Sequence, residues 1–428
     1  MVRPLRMPRP RRTGPSAGHT PDPGFDVVMI GSGLGIYALT RAFHEEYGVV
    51  STVVAANAPA PMHRSITCTV HEPSAGGDEG RLAALLEIAG ARPAGRPALL
   101  LCNNDAHVEF IARHAEVLGE HYLIRVPDLP TVNLLADKAS FAELCQQHRI
   151  SIPETVVVDF RAGQLPTVGE LPFDFPVVAK PAVGGPHAQI RMPGKKKVYF
   201  LQDRTELKDL LDRLHTSGFR DRFVLQELIP GDDTAMRSIT AYRDARGTVS
   251  LLASATVLLE EHTPEALGRP AAMITKDFPE QLEQARILLD ATGYVGFANV
   301  DIKEDPRDRS QRFLEINPRI GRNNYYVTGA GANVARFMVE DAIHGRTPTP
   351  VVGLPSILYS IVPTWLLRRY VLDPAQRAQL REVARRRTVN PWDYPAEGLW
   401  MRGYAQAVRL NHVRKFRKHY PKPSATGF

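Results

Sequence analysis

Cysteine is scarce in this chain: Cys68, Cys102 and Cys145 are the only three in 428 residues, and they lie far apart. Their spacing suits neither a metal site nor a disulfide framework, and the scarcity fits a reducing cytosol. No apolar run approaches the roughly 20 residues that a membrane span needs. The opening stretch "MVRPLRMPRPRRTGPSAGHTPDPG" is basic with no apolar segment behind it, so Arg11-Arg12 makes a poor export signal. Residues 1–24 read as a disordered, Pro-rich tail. Acids are missing altogether from 401–428, where Arg402, Arg409, Arg414, Lys415, Arg417, Lys418 and Lys422 help set a net charge of +7. Such an end attracts nucleic acid, an anionic membrane face or a polyanionic substrate, or is simply a solvated helix terminus. An aromatic-interleaved RNA-binding pattern is also missing, which argues against nucleic acid. Finally, no Ser-His-Asp or Cys-His arrangement offers a side-chain nucleophile.

What is present is enough apolar residue, 43%, for a sizeable core, in a chain long enough for two or three domains. "FDVVMI", "VVSTVVAA" and "PALLLC" read as strands, and "GLGIYALTRAFHEEYG" as a helix closed by Gly48. This alternation predicts a parallel sheet flanked by helices, an α/β unit over 25–130. The helical "TVNLLADKASFAELCQQH" leads into a second region, 131–345. There "TVVV", "FPVVAKP", "KVYFL", "FVLQEL", "AMRSITAYRD" and "TVSLLASATV" are strands, and "FPEQLEQARILLDATG" is an amphipathic helix. Hairpins with little βαβ regularity predict an α+β domain. Residues 346–428, rich in Pro and Arg, form a basic C-terminal extension. Internal repeats are lacking.

"GSGLGI" resembles a dinucleotide fingerprint, but the sixth position is Ile36 and no acid follows the second strand. The amides of Ser32 to Gly35 can still hold an anion at a helix start, or form a plain tight turn. A stronger pattern lies in "GFANVDIKED" and "RFLEINPRIGRNN". If the two pair through the turn "DPRDRSQ", alternation puts Asp301, Glu315 and Asn317 on one face, with Val300, Ile302, Leu314 and Ile316 on the other. Two carboxylates and an amide oxygen suit Mg²⁺, or Mn²⁺, and the lack of thiolates and clustered histidines disfavours zinc. An ordinary solvated face is the bland alternative. Arg319, just beyond Pro318, is placed for a phosphate or carboxylate. Lys180 closes "FPVVAKP", and the loop "AVGGPHAQIRMPGKKK", with Gly184 and Gly185, can fold over phosphates. Exposed backbone at Glu227–Leu228 could meet an adenine edge, and Asp233 could take ribose hydroxyls.

In this order the motifs "VVAKP", "QELIPGDD", "GFANVDIK" and "FLEINPRIG" resemble those of the ATP-grasp superfamily. The extended "EINPRIGRNNYYVTGAG" is most similar to its D-aspartate-ligase-type carboxylate–amine ligases, over roughly 131–345. The resemblance implies a pre-ATP-grasp βα domain followed by a two-lobed ATP-grasp fold. It implies Lys138 and Lys180 on the ATP phosphates, Gln226, Glu227 and Leu228 as adenine hinge, and Asp233 on the ribose. It further implies Asp301, Glu315 and Asn317 on Mg²⁺, and Arg319 on the carboxylate being activated. Gln226 stands where an acid is frequent, and Asp233 and Asp301 stand where glutamate is usual. The implied chemistry joins an amino-acid carboxylate to an amine acceptor through an acyl phosphate, in the cytoplasm. The acceptor could be an anionic cell-wall precursor, and a homodimer is compatible. A peptide ligase of secondary metabolism, a non-catalytic nucleotide-binding module and a basic nucleic-acid-associated protein are the competing readings.

Overall fold

The computed structural model describes residues 22–424; the N-terminal tail expected over 1–24 falls, up to residue 21, outside them. Strands β1 (Asp26–Ile30), β2 (Ser51–Val54), β3 (Cys68–His71), β4 (Ala98–Cys102) and β5 (Leu123–Ile124) form one sheet in the order β3-β2-β1-β4-β5. Every pairing in it is parallel. Val27, Val28, Met29 and Ile30 are all buried, as a strand covered on both faces requires. Helix Leu34–Tyr47 returns the chain from β1 to β2 and stops at Gly48, whose φ of 68° and N–H to His44 O close the last turn.

The stretch expected as one helix divides into helices Leu129–Ala136 and Lys138–Gln147, with Asp137 between them. The Asp137 carboxylate caps the second by accepting from the N–H groups of Ala139 (2.9 Å) and Ser140 (3.0 Å). A small antiparallel sheet follows, β6 (Thr155–Asp159), β9 (Arg222–Glu227), β7 (Val177–Pro181) and β8 (Tyr199–Leu201), in that spatial order.

The larger sheet runs β14 (Gln311–Asn317), β13 (Gly296–Glu304), β10 (Met236–Arg243), β11 (Val249–Glu261), β12 (Arg269–Thr275), β16 (Leu358–Ser360), β17 (Thr388–Val389), with β15 (Val351–Val352) beside β11. Gly296 opens β13 at φ 97°, where a Cβ would lie 2.1 Å from Arg125 O. Only glycine lets the strand start that close to the chain leaving the first sheet.

The segment after 345 is built into the body of the protein. Its Trp392, Met401 and Phe416 share one core with Phe25, Tyr37 and Leu39 of the first unit. Trp392 stacks on Tyr37 at 4.4 Å. Buried Glu397 accepts from Tyr37 Oη (3.2 Å) and Ser65 Oγ (2.6 Å). Among the described residues, no helix is long and apolar enough to cross a membrane.

Candidate active site

The hairpin β13–β14 carries the centre of the site. Asp301 is the register partner of Glu315, and Asn299 of Asn317, so all four side chains share a face. Val300 pairs with Ile316 on the opposite, buried face. A bulge leaves Leu314 unpaired, so that Ile302 meets Phe313 and both remain buried. Simple alternation did not foresee that extra residue. The Asp301 carboxylate accepts from Asn299 Nδ2 (3.0 Å) and Asn317 Nδ2 (3.1 Å). Asn317 therefore turns its amino group to Asp301, and its oxygen accepts from Arg319 Nη2 at 2.9 Å. This corrects the expectation that the amide oxygen points at the carboxylates. With two acids side by side, the N–H end of the amide is the end they attract.

Burial, then the charge of Glu315, pushes the Asp301 carboxyl up to about 7, against the hydrogen bonds of the two asparagines. Burial would raise Glu315 as well, but Lys138, Lys180, Lys197 and Arg319 outweigh it and hold that carboxyl below its ordinary value. Among the described residues, nothing hydrogen-bonds or ion-pairs with the Glu315 side chain. Lys180 is lowered to about 8, by burial first and by Lys138 and Lys197, with Glu315 opposing. Lys138 is brought in by its backbone, whose N–H bonds Ala182 O at 3.1 Å just past β7. Among the described residues, no three His, Cys, Asp or Glu side chains converge as a metal cage. The donor set is two carboxylates and amides. Two adjacent carboxylates, one of them with no hydrogen-bonding partner on its side chain, are hard oxygen donors of the kind that Mg²⁺ takes.

The remaining expected residues lie around this centre. Gln226 and Glu227 end β9, and Leu228 is the first residue beyond it. Glu227 differs from expectation, because its N–H is donated to Glu154 O (2.9 Å) and its side chain pairs with Arg307. That N–H is therefore taken by the residue just before β6. The Gln226 side chain donates to Thr155 Oγ1 at 2.9 Å. Gly184 and Gly185 start a short helix, Gly184–Gln189, where an open loop was expected, and a Cβ on either would meet nothing within 4 Å. Asp233 is buried, and its Oδ2 accepts from Glu260 N–H and His262 Nε2, each at 2.9 Å. Arg319 lies 3.1 Å from Asp105 Oδ1, next to the first sheet.

Sequence reasoning missed three residues here. Asn299 was legible, two positions before Asp301 on the same face. Lys197 belongs to the quoted "GKKK" run. Glu260 is the next-to-last residue of the long strand β11, too uniformly apolar for alternation to assign its face. Burial first, then Asp233 and Asp301, raises its carboxyl to about 8, while Lys303 opposes. The glycine turn has a structural part as well: a Cβ on Gly35 would collide with Asn103 Nδ2 at 1.9 Å and lie 3.0 Å from Arg322 Cα. Asn324 Nδ2 donates to Gly35 O at 3.1 Å. The "GSGLGI" turn is thus packed against the arginine-rich loop that follows β14.

No family model matches the chain. It is 32% identical over 329 residues to D-aspartate ligase of Enterococcus faecium (strain Aus0004), covering 75% of this chain and 77% of that protein. Among solved structures it resembles L-amino acid ligase from Bacillus licheniformis, with a TM-score of 0.51 and 17% identity over 76% of this chain and 75% of that one. It also resembles N5-carboxyaminoimidazole synthetase from Staphylococcus aureus complexed with ADP, with a TM-score of 0.55 and 14% identity over 78% and 81%. The structural likenesses establish the fold, and the sequence relative carries the relationship further. The chain belongs to the ATP-grasp carboxylate–amine ligases, in the family of D-aspartate ligase, and is a nucleotide-binding enzyme that forms carbon–nitrogen bonds.

Proposed function

We propose that this ligase phosphorylates the carboxylate of an amino acid and joins it to an amine, with the β13–β14 face as the phosphoryl-transfer centre. The observation that carries the reading is the pairing of Asp301 with Glu315 under the field of Lys138, Lys180 and Lys197. A carboxylate oxygen attacks the γ-phosphorus, the bond to the β,γ-bridging oxygen breaks, and ADP leaves with that electron pair. The amine then attacks the acyl phosphate carbonyl, loses a proton, and expels inorganic phosphate.

The difficulty is electrostatic, since an anion must approach a polyanion. Lys138, Lys180 and Lys197 offset the phosphate charge on one side, and Arg319 steadies the acid or its phosphoryl ester on the other. Asp301 and Glu315 would hold Mg²⁺, joined by Asn317 once its amide turns its oxygen from Arg319, and the ion neutralises phosphate charge when bound. The open surroundings of Gly184 and Gly185 leave that segment room to close over the phosphates and exclude water from the acyl phosphate. The relative's name favours an acidic D-amino acid as the activated acid. The basic helix end near 414–418 suits an anionic, cell-wall-type amine acceptor.

Incubation with ATP, Mg²⁺ and panels of D- and L-amino acids and amines, followed by ADP assay and product mass, tests the proposal. ADP release that requires both partners, with a new amide mass, is expected. ADP released without any amide would instead mark a kinase or a hydrolase.

A further inference from the structure

The C-terminal segment reaches the nucleotide end of the site through one side chain. The ring of Tyr420 lies flat on that of His262, with centroids 3.7 Å apart and planes 7° from parallel. His262 Nε2 is 2.9 Å from Asp233 Oδ2, so with its proton there it donates to that oxygen. The Glu260 N–H donates to the same oxygen. Two fixed donors on Oδ2 stop the carboxylate rotating, and among the described residues Oδ1 accepts from nothing. Asp233 and His262 are both nearly buried, with side chains 9% and 7% exposed.

Tyr420 is itself held from several sides. It caps helix Leu399–His419, and its N–H bonds Phe416 O at 2.9 Å. The Tyr370 hydroxyl donates to its carbonyl, Arg369 Nη2 donates to Pro421 O at 2.8 Å, and the Tyr370 ring lies 5.4 Å away. These contacts hold the Tyr420 ring in place over the imidazole, where it stops His262 from rotating.

We infer that Tyr420 and His262 are positioning residues for the nucleotide: they lock Asp233 so that its free oxygen meets a ribose hydroxyl, and the C-terminal segment thereby completes the ATP site. The inference rests on the proposed assignment of Asp233 to the ribose. Neither residue touches the reacting atoms, so the effect belongs in KM for ATP and in discrimination between ribose and deoxyribose, with kcat nearly preserved.

The test compares ATP with 2′-deoxy-ATP and 3′-deoxy-ATP in the full-length enzyme and in Tyr420→Ala, Tyr420→Phe and His262→Gln. The wild type should favour ATP over one deoxynucleotide by about tenfold or more, the size of one hydrogen bond to a charged group. Tyr420→Ala should erase that preference by weakening ATP alone, with kcat within about threefold. Tyr420→Phe keeps the stacked ring and should behave as wild type. His262→Gln keeps a donor without the ring and should fall between them. Melting curves confirm that each variant is folded. Preserved discrimination in folded Tyr420→Ala overturns the inference, as does a loss confined to kcat. A wild type that binds ADP tightly yet ignores both ribose hydroxyls overturns it too, while leaving the ligase intact. A wild type that binds no nucleotide overturns the ligase reading itself.

Discussion

The two faces of the β13–β14 hairpin are made from neighbouring residues of the same strands and follow opposite rules. On the inward face Val300, Ile302, Phe313 and Ile316 are buried in one core, and each is satisfied by packing. On the outward face Asn299, Asp301, Glu315 and Asn317 are held against one another's preferences. One carboxyl resists ionisation, and the other stays charged with no partner in contact. Apolar packing thus supplies the rigidity that keeps like charges together. Where local preferences conflict inside a well-packed frame, function is the usual reason.

The largest effect expected is on the outward face. Glu315→Gln should lower ADP formation by about a thousandfold or more, because it removes a charge that acts in the transition state. Its melting temperature should be unchanged or somewhat lower, since the lysines and Arg319 favour the charged carboxylate in the folded protein. Undiminished turnover in a purified sample would count against the whole assignment. On the inward face the balance between lost activity and lost stability reverses. Phe313→Ala should cost about 3–5 kcal/mol of stability, the loss of a large buried side chain plus the cavity it leaves. Turnover per folded molecule should fall far less than in Glu315→Gln. Equal losses of activity at unchanged melting would erase the distinction between the faces.

That distinction was legible from the sequence because a strand has a period of two and the turn "DPRDRSQ" fixed which residues could meet. Three of the five strands of the parallel sheet, β1, β2 and β4, were legible for a similar reason: strongly apolar strands alternate with helical stretches. Strand β12 was not, since "RPAAMIT" contains Pro270 and has no alternation to mark it. Strand β3, four residues long, carried too little pattern. The C-terminal segment read as an appendage because its contacts are remote: Glu397 meets Tyr37 from 360 residues away, and no local spacing encodes that. Asp233 was marked by its motif, but the imidazole and tyrosine behind it come from other elements. Spacing can announce a residue that touches a ligand. It cannot announce the one that holds that residue still.

Lys180 allows a graded test on the outward side. Its ammonium is lowered from an ordinary 10.5 to about 8, by burial first and then by two neighbouring lysines. The folded protein therefore binds this proton less tightly than the unfolded chain. Burying the charge costs stability below pH 8, and that cost fades as pH rises from 8 toward 10.5. Phosphate binding runs the other way, because it needs the charged form. Affinity for ADP, measured by calorimetry, should fall as pH rises through about 8. Lys180→Arg, charged throughout, should flatten the profile. A wild-type profile with no break between pH 7 and 9 would show that Lys180 does not face the phosphates.

The smallest effect should come from Asn299, which supports the outward face without belonging to either rule. Its amino group fixes one oxygen of Asp301 at 3.0 Å, and its own oxygen accepts from Ser238 Oγ at 3.2 Å. The Gly321 backbone packs closely beside that same oxygen, which a Cβ there would approach to 2.5 Å. Asn299→Ala should raise the Mg²⁺ concentration that half-saturates ADP formation by roughly tenfold, in the range seen when a metal ligand loses its supporting hydrogen bond. At saturating Mg²⁺ most of the turnover should return. Ser238→Ala, one bond further away, should give a smaller shift in the same direction. If Asn299→Ala instead lowers turnover equally at every Mg²⁺ concentration, the asparagine contacts the phosphoryl group itself, and the outward face then holds a third kind of residue.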